Sequence, residues 1–148
     1  MTDTDHRLLI GLHRSVLALD RETARLAASH GLTLGQFAVM EALYVKGTQS
    51  ISAVRERILS SVGTIPVIVR NLERRGLIRR LPHATDRRVC LVSLSEEGRK
   101  VIAEVIPQNN AMIRDFFAGL DPSEKETLIQ LIRKTKGNSH GTHDHTAG

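Results

Sequence analysis

The sequence predicts a mainly α-helical fold that carries one small β-hairpin. Three observations predict it. Apolar residues recur at helical spacing over most of the 148 residues, the stretch 70–98 leaves helix for two short strands and returns to helix, and positive charge gathers in the wider segment 55–100 that contains it. From Arg55 to Lys100 there are 11 Lys+Arg against 5 Asp+Glu, a net of +6, whereas the rest of the chain carries 10 against 11. Such clustering fits a polyanionic partner better than general solubility, because lysines and arginines that neutralise phosphates release condensed counterions.

Taken in order, Leu8, Leu9, Leu12, Val16, Leu19 and Leu26 predict a long amphipathic helix over about 5–29, ended by His30-Gly31. Thr33-Leu34-Gly35-Gln36 has the form of a capping box, starting a helix through Phe37, Met40, Leu43 and Tyr44 that stops at Gly47. Ser50 caps a short helix with Ile51, Val54, Ile58 and Leu59, followed by the turn Ser60-Ser61-Val62-Gly63 and a helix that runs to Arg75. Gly76 offers a left-handed stop, after which residues 77–81 and 89–94 read as strands around Pro82-His83-Ala84-Thr85-Asp86-Arg87-Arg88. Helix, turn, helix and hairpin in this order describe a winged helix-turn-helix unit, expected over 33–98. Arg87 and Arg88 at the hairpin tip suit an approach to phosphates, and Arg79 and Arg80 add charge on the incoming strand.

Ser95 caps the next helix, whose apolar face includes Val101, Ile102, Val105, Ile106, Met112, Ile113, Phe116 and Phe117, with Pro107 expected to bend it. Asp121-Pro122-Ser123-Glu124 starts a last helix, expected to end near Lys136, and the polar tail 137–148 reads as disordered. The outer helices, 1–32 and 99–136, are strongly apolar on one face. They are expected to form a helical dimerisation region, and a two-fold homodimer matches a pseudo-palindromic duplex site.

Several classes are set aside. No apolar window is long enough to span a membrane, the start MTDTDHRLL lacks secretory features, and one cysteine cannot form an internal disulfide, so a cytoplasmic protein is expected. No Trp, one Tyr and three Phe are too few for a base-stacking surface, which favours duplex over single-stranded nucleic acid. There is no glycine-rich phosphate loop, no His-x-x-x-His pair and no nucleophile elbow, so neither an enzyme nor a cofactor is expected, and a metal-dependent enzyme is only a distant alternative. His140, His143 and His145 lack a cysteine or acid cluster around them, and no metal site is expected there.

The segments Asn71-Leu72-Glu73-Arg74-Arg75-Gly76-Leu77-Ile78, Asp86-Arg87-Arg88 and Leu94-Ser95-Glu96-Glu97-Gly98 resemble the MarR family of transcriptional regulators, a resemblance that extends over about residues 8–136. It implies a homodimer joined through its terminal helices, a recognition helix in the major groove and a wing arginine in the minor groove. It also implies, in many members, a small ligand between the dimerisation and DNA-binding parts. By position Arg88 matches the wing arginine and Asp86 the acid that orients it, with Arg87 beside them. The recognition helix would start at Ser61 or Thr64 and present Thr64, Pro66, Val67, Arg70, Asn71 and Arg74 to DNA, while Ile65, Ile68 or Val69, and Leu72 pack inward. Pro66-Val67 departs from the polar-then-arginine pair of many members, so a bidentate arginine-to-guanine contact is not expected there. Pro66 must lie in the first helical turn to avoid a penalty of about 3 kcal/mol, which favours Thr64 as N-cap.

The run from Ile58 to Ile65 resembles the quinone- and phenol-responsive branch, which implies a repressor released by a small aromatic effector. His13, Met40, Tyr44 and Met112 lie on the helices that line the family's ligand pocket, so they are the candidate ligand residues, weighed against a plain core role. The alternative is a redox-sensing repressor using Cys90, with Arg87 and Arg88 lowering its pKa.

Overall fold

A computed structural model of the protein describes residues 3–58 and 64–135. Its elements are α1 (Asp3–Ser29), α2 (Leu34–Lys46), β1 (Gln49–Ser50), α3 (Ile51–Arg57), α4 (Ile65–Arg74), β2 (Ile78–Pro82), β3 (Cys90–Leu94), α5 (Glu96–Phe116) and α6 (Pro122–Arg133). The turn around Ser61 and the tail with its three histidines lie outside the described residues. Contacts gather the chain into two compact units, Met1–Met112 and Ile113–Gly148.

In the first unit a single core joins Ala27 of α1, Phe37, Val39, Met40 and Leu43 of α2, Val54 of α3, Ile65, Val69 and Leu72 of α4, Ile78 and Val92 of the sheet, and Ile102 and Val105 of α5. The expected division at 32/33 and 98/99 therefore cuts through one core, because the end of α1 and the front of α5 close the helix-turn-helix rather than standing apart from it.

Local chemistry explains most boundaries. Gln36 N–H donates to the Thr33 hydroxyl at 3.1 Å and the Gln36 side chain accepts from Thr33 N–H at 3.0 Å, completing the capping box of α2. Ser50 accepts from Ala53 N–H at the start of α3, and Asp121 and Glu124 form a second capping box on α6. Pro107 stays inside a continuous α5.

The hairpin differs from its expectation by one residue at both ends of β2 and at the start of β3, and it is part of a three-stranded antiparallel sheet of order β1-β3-β2. Gln49 pairs with Val92 and Ser50 with Leu91, while β2 pairs with β3 from Ile78↔Leu94 to Pro82↔Cys90. β1 escaped the sequence reading because two polar residues show no alternation.

In the second unit, the end of α5 and α6 surround an apolar groove lined by Ile113, Phe117, Leu120, Leu128, Ile129 and Ile132. No residue of α6 is buried.

Candidate nucleic-acid interface

Helix α4 follows the expected sidedness. Ile65, Val69 and Leu72 are buried, whereas Thr64, Val67, Arg70, Asn71 and Arg74 are exposed and Pro66 is partly so. Thr64 stands at the N-cap in extended conformation, but its side chain makes no capping bond, so the start of α4 relies on Pro66 in the first turn and on packing. The other end closes on Gly76, at φ +73: Leu77 N–H donates to Leu72 O and Gly76 N–H to Glu73 O, both at 3.0 Å. This pair of bonds is a Schellman motif, and the positive φ explains the glycine.

Not every arginine in the basic stretch faces outward for a ligand. Arg75 Nη1 donates to the carbonyl of Gly31 at 2.8 Å and to Gln36 Oε1 at 3.1 Å, tying the end of α4 to the turn between α1 and α2. Arg80 Nε donates to Glu73 Oε2 at 2.6 Å, which neutralises the acid of α4 and braces the hairpin against that helix. These two roles were not evident from charge runs, which do not show which arginines already have partners.

In the loop between β2 and β3, Asp86 and Arg88 are paired. Asp86 Oδ1 accepts from the Arg88 backbone N–H at 3.0 Å and from its Nε at 3.2 Å, and Oδ2 accepts from Nη2 at 3.4 Å. These bonds hold the Asp86 carboxyl below its ordinary value of 3.8. The Arg88 side chain is 92% exposed, so the guanidinium is aimed but not covered. Arg87 beside it is exposed as well.

The base of the wing is locked. Ser95 N–H donates to Leu77 O at 3.0 Å, its hydroxyl donates to Gly76 O at 2.6 Å, and Gly98 N–H donates back to that hydroxyl at 3.0 Å. A Cβ on Gly98 would lie 1.9 Å from the Leu77 carbonyl oxygen, so the start of α5 sits directly on the backbone that leaves α4 for β2. The Gly-Leu and Ser-x-x-Gly segments are thus two halves of one joint.

Cys90 is half-buried, and the guanidinium beside its Sγ is that of Arg80, with Nη1 at 3.7 Å. That contact follows from pairing, since β2 and β3 lie side by side. Arg87 and Arg88, named as its neighbours from sequence, are instead in the turn.

A cavity of about 420 Å³ opens among α1, α2, α5 and the end of α3, lined by Asp20, Thr23, Phe37, Ala38, Glu41, Ala42, Val45, Arg57, Ile58 and Asn109. Thr23 donates its hydroxyl to the Oδ1 of buried Asn109 at 3.0 Å. Burial pushes the Glu41 carboxyl above its ordinary value of 4.5, partly opposed by the charge of Arg57.

The four candidate ligand residues do not meet in this cavity. His13 is exposed on α1, Met40 is fully buried in the core, Met112 is half-buried, and Tyr44 is partly exposed with the Arg99 guanidinium 5.6 Å from its ring centroid. The reason is rotation about α2: Phe37, Glu41 and Val45 share one face, and Met40 and Tyr44 are turned about 100° from it. The signal that could have found Glu41 is its position as the single acid of α2, within the otherwise uncharged run Phe37–Val45.

Against known proteins, the MarR family model matches residues 32–98. The HTH-type transcriptional regulator MhqR of Bacillus subtilis is 29% identical over 144 residues, 97% of this chain and 99% of that one. The transcriptional regulator HosA of Escherichia coli O157:H7 is 36% identical over 103 residues, 70% of this chain and 76% of that one. A solved structure of Bordetella bronchiseptica BpsR, whose DNA binding is regulated by 6-hydroxynicotinic acid, matches with a TM-score of 0.74 and 26% identity, covering 86% of this chain and 97% of that one. These relatives are named as regulators rather than enzymes, and their agreement with the helix-turn-helix and wing described above shows that the chain belongs to the MarR family of DNA-binding transcriptional regulators.

Proposed function

We propose that the protein is a cytoplasmic repressor that binds a pseudo-palindromic operator as a homodimer and is released by a small aromatic effector. The observation that carries the DNA half is the exposed Arg88 guanidinium held by Asp86 beside a helix face of Thr64, Pro66, Val67, Arg70, Asn71 and Arg74. On this reading the helix enters the major groove and Arg88 the minor groove, with Ser61 and Arg87 completing the contacts. Val67 favours a thymine methyl over a guanine edge. Exposed Leu8, Leu12 and Val16 of α1, and separately Leu128, Leu131 and Ile132 of α6, supply apolar faces for a second copy to cover.

The effector half rests on the cavity. Its apolar walls suit a single ring, Arg57 offers a partner for a carboxylate, and Glu41 and Asp20 accept from a hydroxyl. The regulation of BpsR by a hydroxylated aromatic acid supports that chemistry. An effector releases DNA only by favouring the spacing of recognition helices that does not fit the operator, and a hundredfold release requires about 2.7 kcal/mol of preference.

The test is fluorescence anisotropy with a duplex from upstream of the protein's own gene, titrated with and without 6-hydroxynicotinate and simple phenols. A lowered affinity in the wild type, lost in Asp20→Ala with unchanged binding in the absence of effector, is expected. No response to any of these compounds removes the effector half and leaves the DNA half standing.

A further inference from the structure

We infer that His83 is the positioning residue of the wing, its Nδ1 being the acceptor on which the tip closes and through which Arg88 is aimed. The inference rests on reading Arg88 as a DNA contact. The β2–β3 ladder ends at Pro82↔Cys90, so residues 83–89 have no strand partner to hold them. Within this loop the Asp86 backbone N–H donates to His83 Nδ1 at 3.0 Å and the Thr85 backbone N–H at 3.3 Å, with the Thr85 hydroxyl 3.4 Å from the same nitrogen. Backbone N–H groups only donate, so Nδ1 carries the lone pair and the ring proton resides on Nε2. Asp86 is then fixed from both sides, its amide by His83 and its carbonyl by Val89 N–H at 3.2 Å. Fixed in this way, Asp86 presents its carboxylate to the backbone N–H and guanidinium of Arg88.

Direct phosphate binding by His83 would use Nε2–H, whereas positioning uses Nδ1. Asparagine separates the two, since its Oδ1 is the same number of bonds from Cβ as Nδ1 and accepts from the residues that follow, as in an Asx-turn, with nothing in place of Nε2. Alanine removes both.

The experiment uses the full-length protein, an operator duplex and anisotropy at fixed salt. His83→Ala is expected to weaken binding about threefold to tenfold, the range of one or two lost hydrogen bonds, and His83→Asn to stay within about twofold of wild type. In an Arg88→Ala background, His83→Ala is expected to cost nothing further, because the group it aims is gone. Three outcomes overturn the inference: no loss in His83→Ala where Arg88→Ala weakens binding, His83→Asn as weak as His83→Ala, or additive losses in the double variant. If Arg88→Ala is itself neutral, the DNA reading of the wing fails separately. Hydrogen exchange of the Asp86 amide without DNA then decides, with faster exchange in His83→Ala and retained protection in His83→Asn expected, and unchanged exchange in His83→Ala overturning the inference.

Discussion

Helices α4 and α6 are of similar length and both carry proline in the first turn, yet they dispose of their apolar residues in opposite ways. In α4 the apolar residues Ile65, Val69 and Leu72 are buried within the chain, leaving arginines and Asn71 outside. In α6 nothing is buried, and Leu128, Ile129, Leu131 and Ile132 are 38–53% exposed. The amino-terminal half of α1 resembles α6, since Leu8, Leu12 and Val16 are exposed and Ala27 is the buried residue of that helix. The difference teaches what each helix is left to bind. A face whose apolar side is already satisfied offers charge to a charged partner, and a face that is not satisfied calls for another protein surface. The starts of the two helices agree: α6 has its own capping box, whereas α4 lacks a side-chain cap and depends on the core beneath it.

The largest expected effect comes from breaking the apolar side of this contrast. Leu12→Glu combined with Leu131→Glu should leave the exposed helices folded yet convert a dimer to monomer in equilibrium sedimentation. It should also lower operator affinity by more than about a hundredfold, because each leucine buried by a partner contributes about 1.5–3 kcal/mol. A dimer that persists would show that these stripes are not the surfaces a partner covers.

The next effect tests the self-contained side. Gly98→Ala forces a methyl group against the Leu77 carbonyl, a backbone atom already fixed by Ser95, and should cost about 2–4 kcal/mol in thermal or urea unfolding. A loss below about 0.5 kcal/mol would mean that the joint yields easily.

The smallest effect concerns Glu41. Its carboxyl is raised in the folded state, so the folded protein binds the proton more tightly than the unfolded chain. Its contribution to stability is full below pH 4.5 and is lost as pH rises through the raised value. Glu41→Gln, which cannot ionise, should therefore be slightly more stable than wild type at neutral pH, with the advantage vanishing below pH 4.5. Urea unfolding at pH 4 and pH 7 checks it, and an advantage confined to the acidic side would reverse the sign of the argument.

Much of this was legible in the chain because the signals were local. Capping at Thr33, Ser50, Ser95 and Asp121 and the stop at Gly76 each depend on residues a few positions apart, where short-range chemistry dominates, while the Asp86–Arg88 pair came from the family resemblance. What depends on distant partners was not legible. Arg75 looks like one more cation until the Gly31 carbonyl arrives from 44 residues away, and Arg80 until Glu73 is brought beside it. The cavity fared likewise: the rotation of α2 and the approach of the end of α3 decide that Glu41 and Arg57 line it and Met40 does not. Helical spacing tells which residues share a face, and only packing tells which face meets which neighbour.

The locked base of the wing has a mechanical consequence. Each strand of the hairpin has five residues, so its tip stands about 17 Å beyond the joint made by Gly76, Leu77, Ser95 and Gly98. A tilt of only about 5° at that joint carries the tip through about 1.5 Å, roughly half the length of a hydrogen bond. Because three hydrogen bonds and the absence of a side chain at Gly98 leave no slack there, a small displacement of the front of α5 reaches the tip magnified rather than absorbed. The hairpin acts as a pointer, and Ser95 is its pivot.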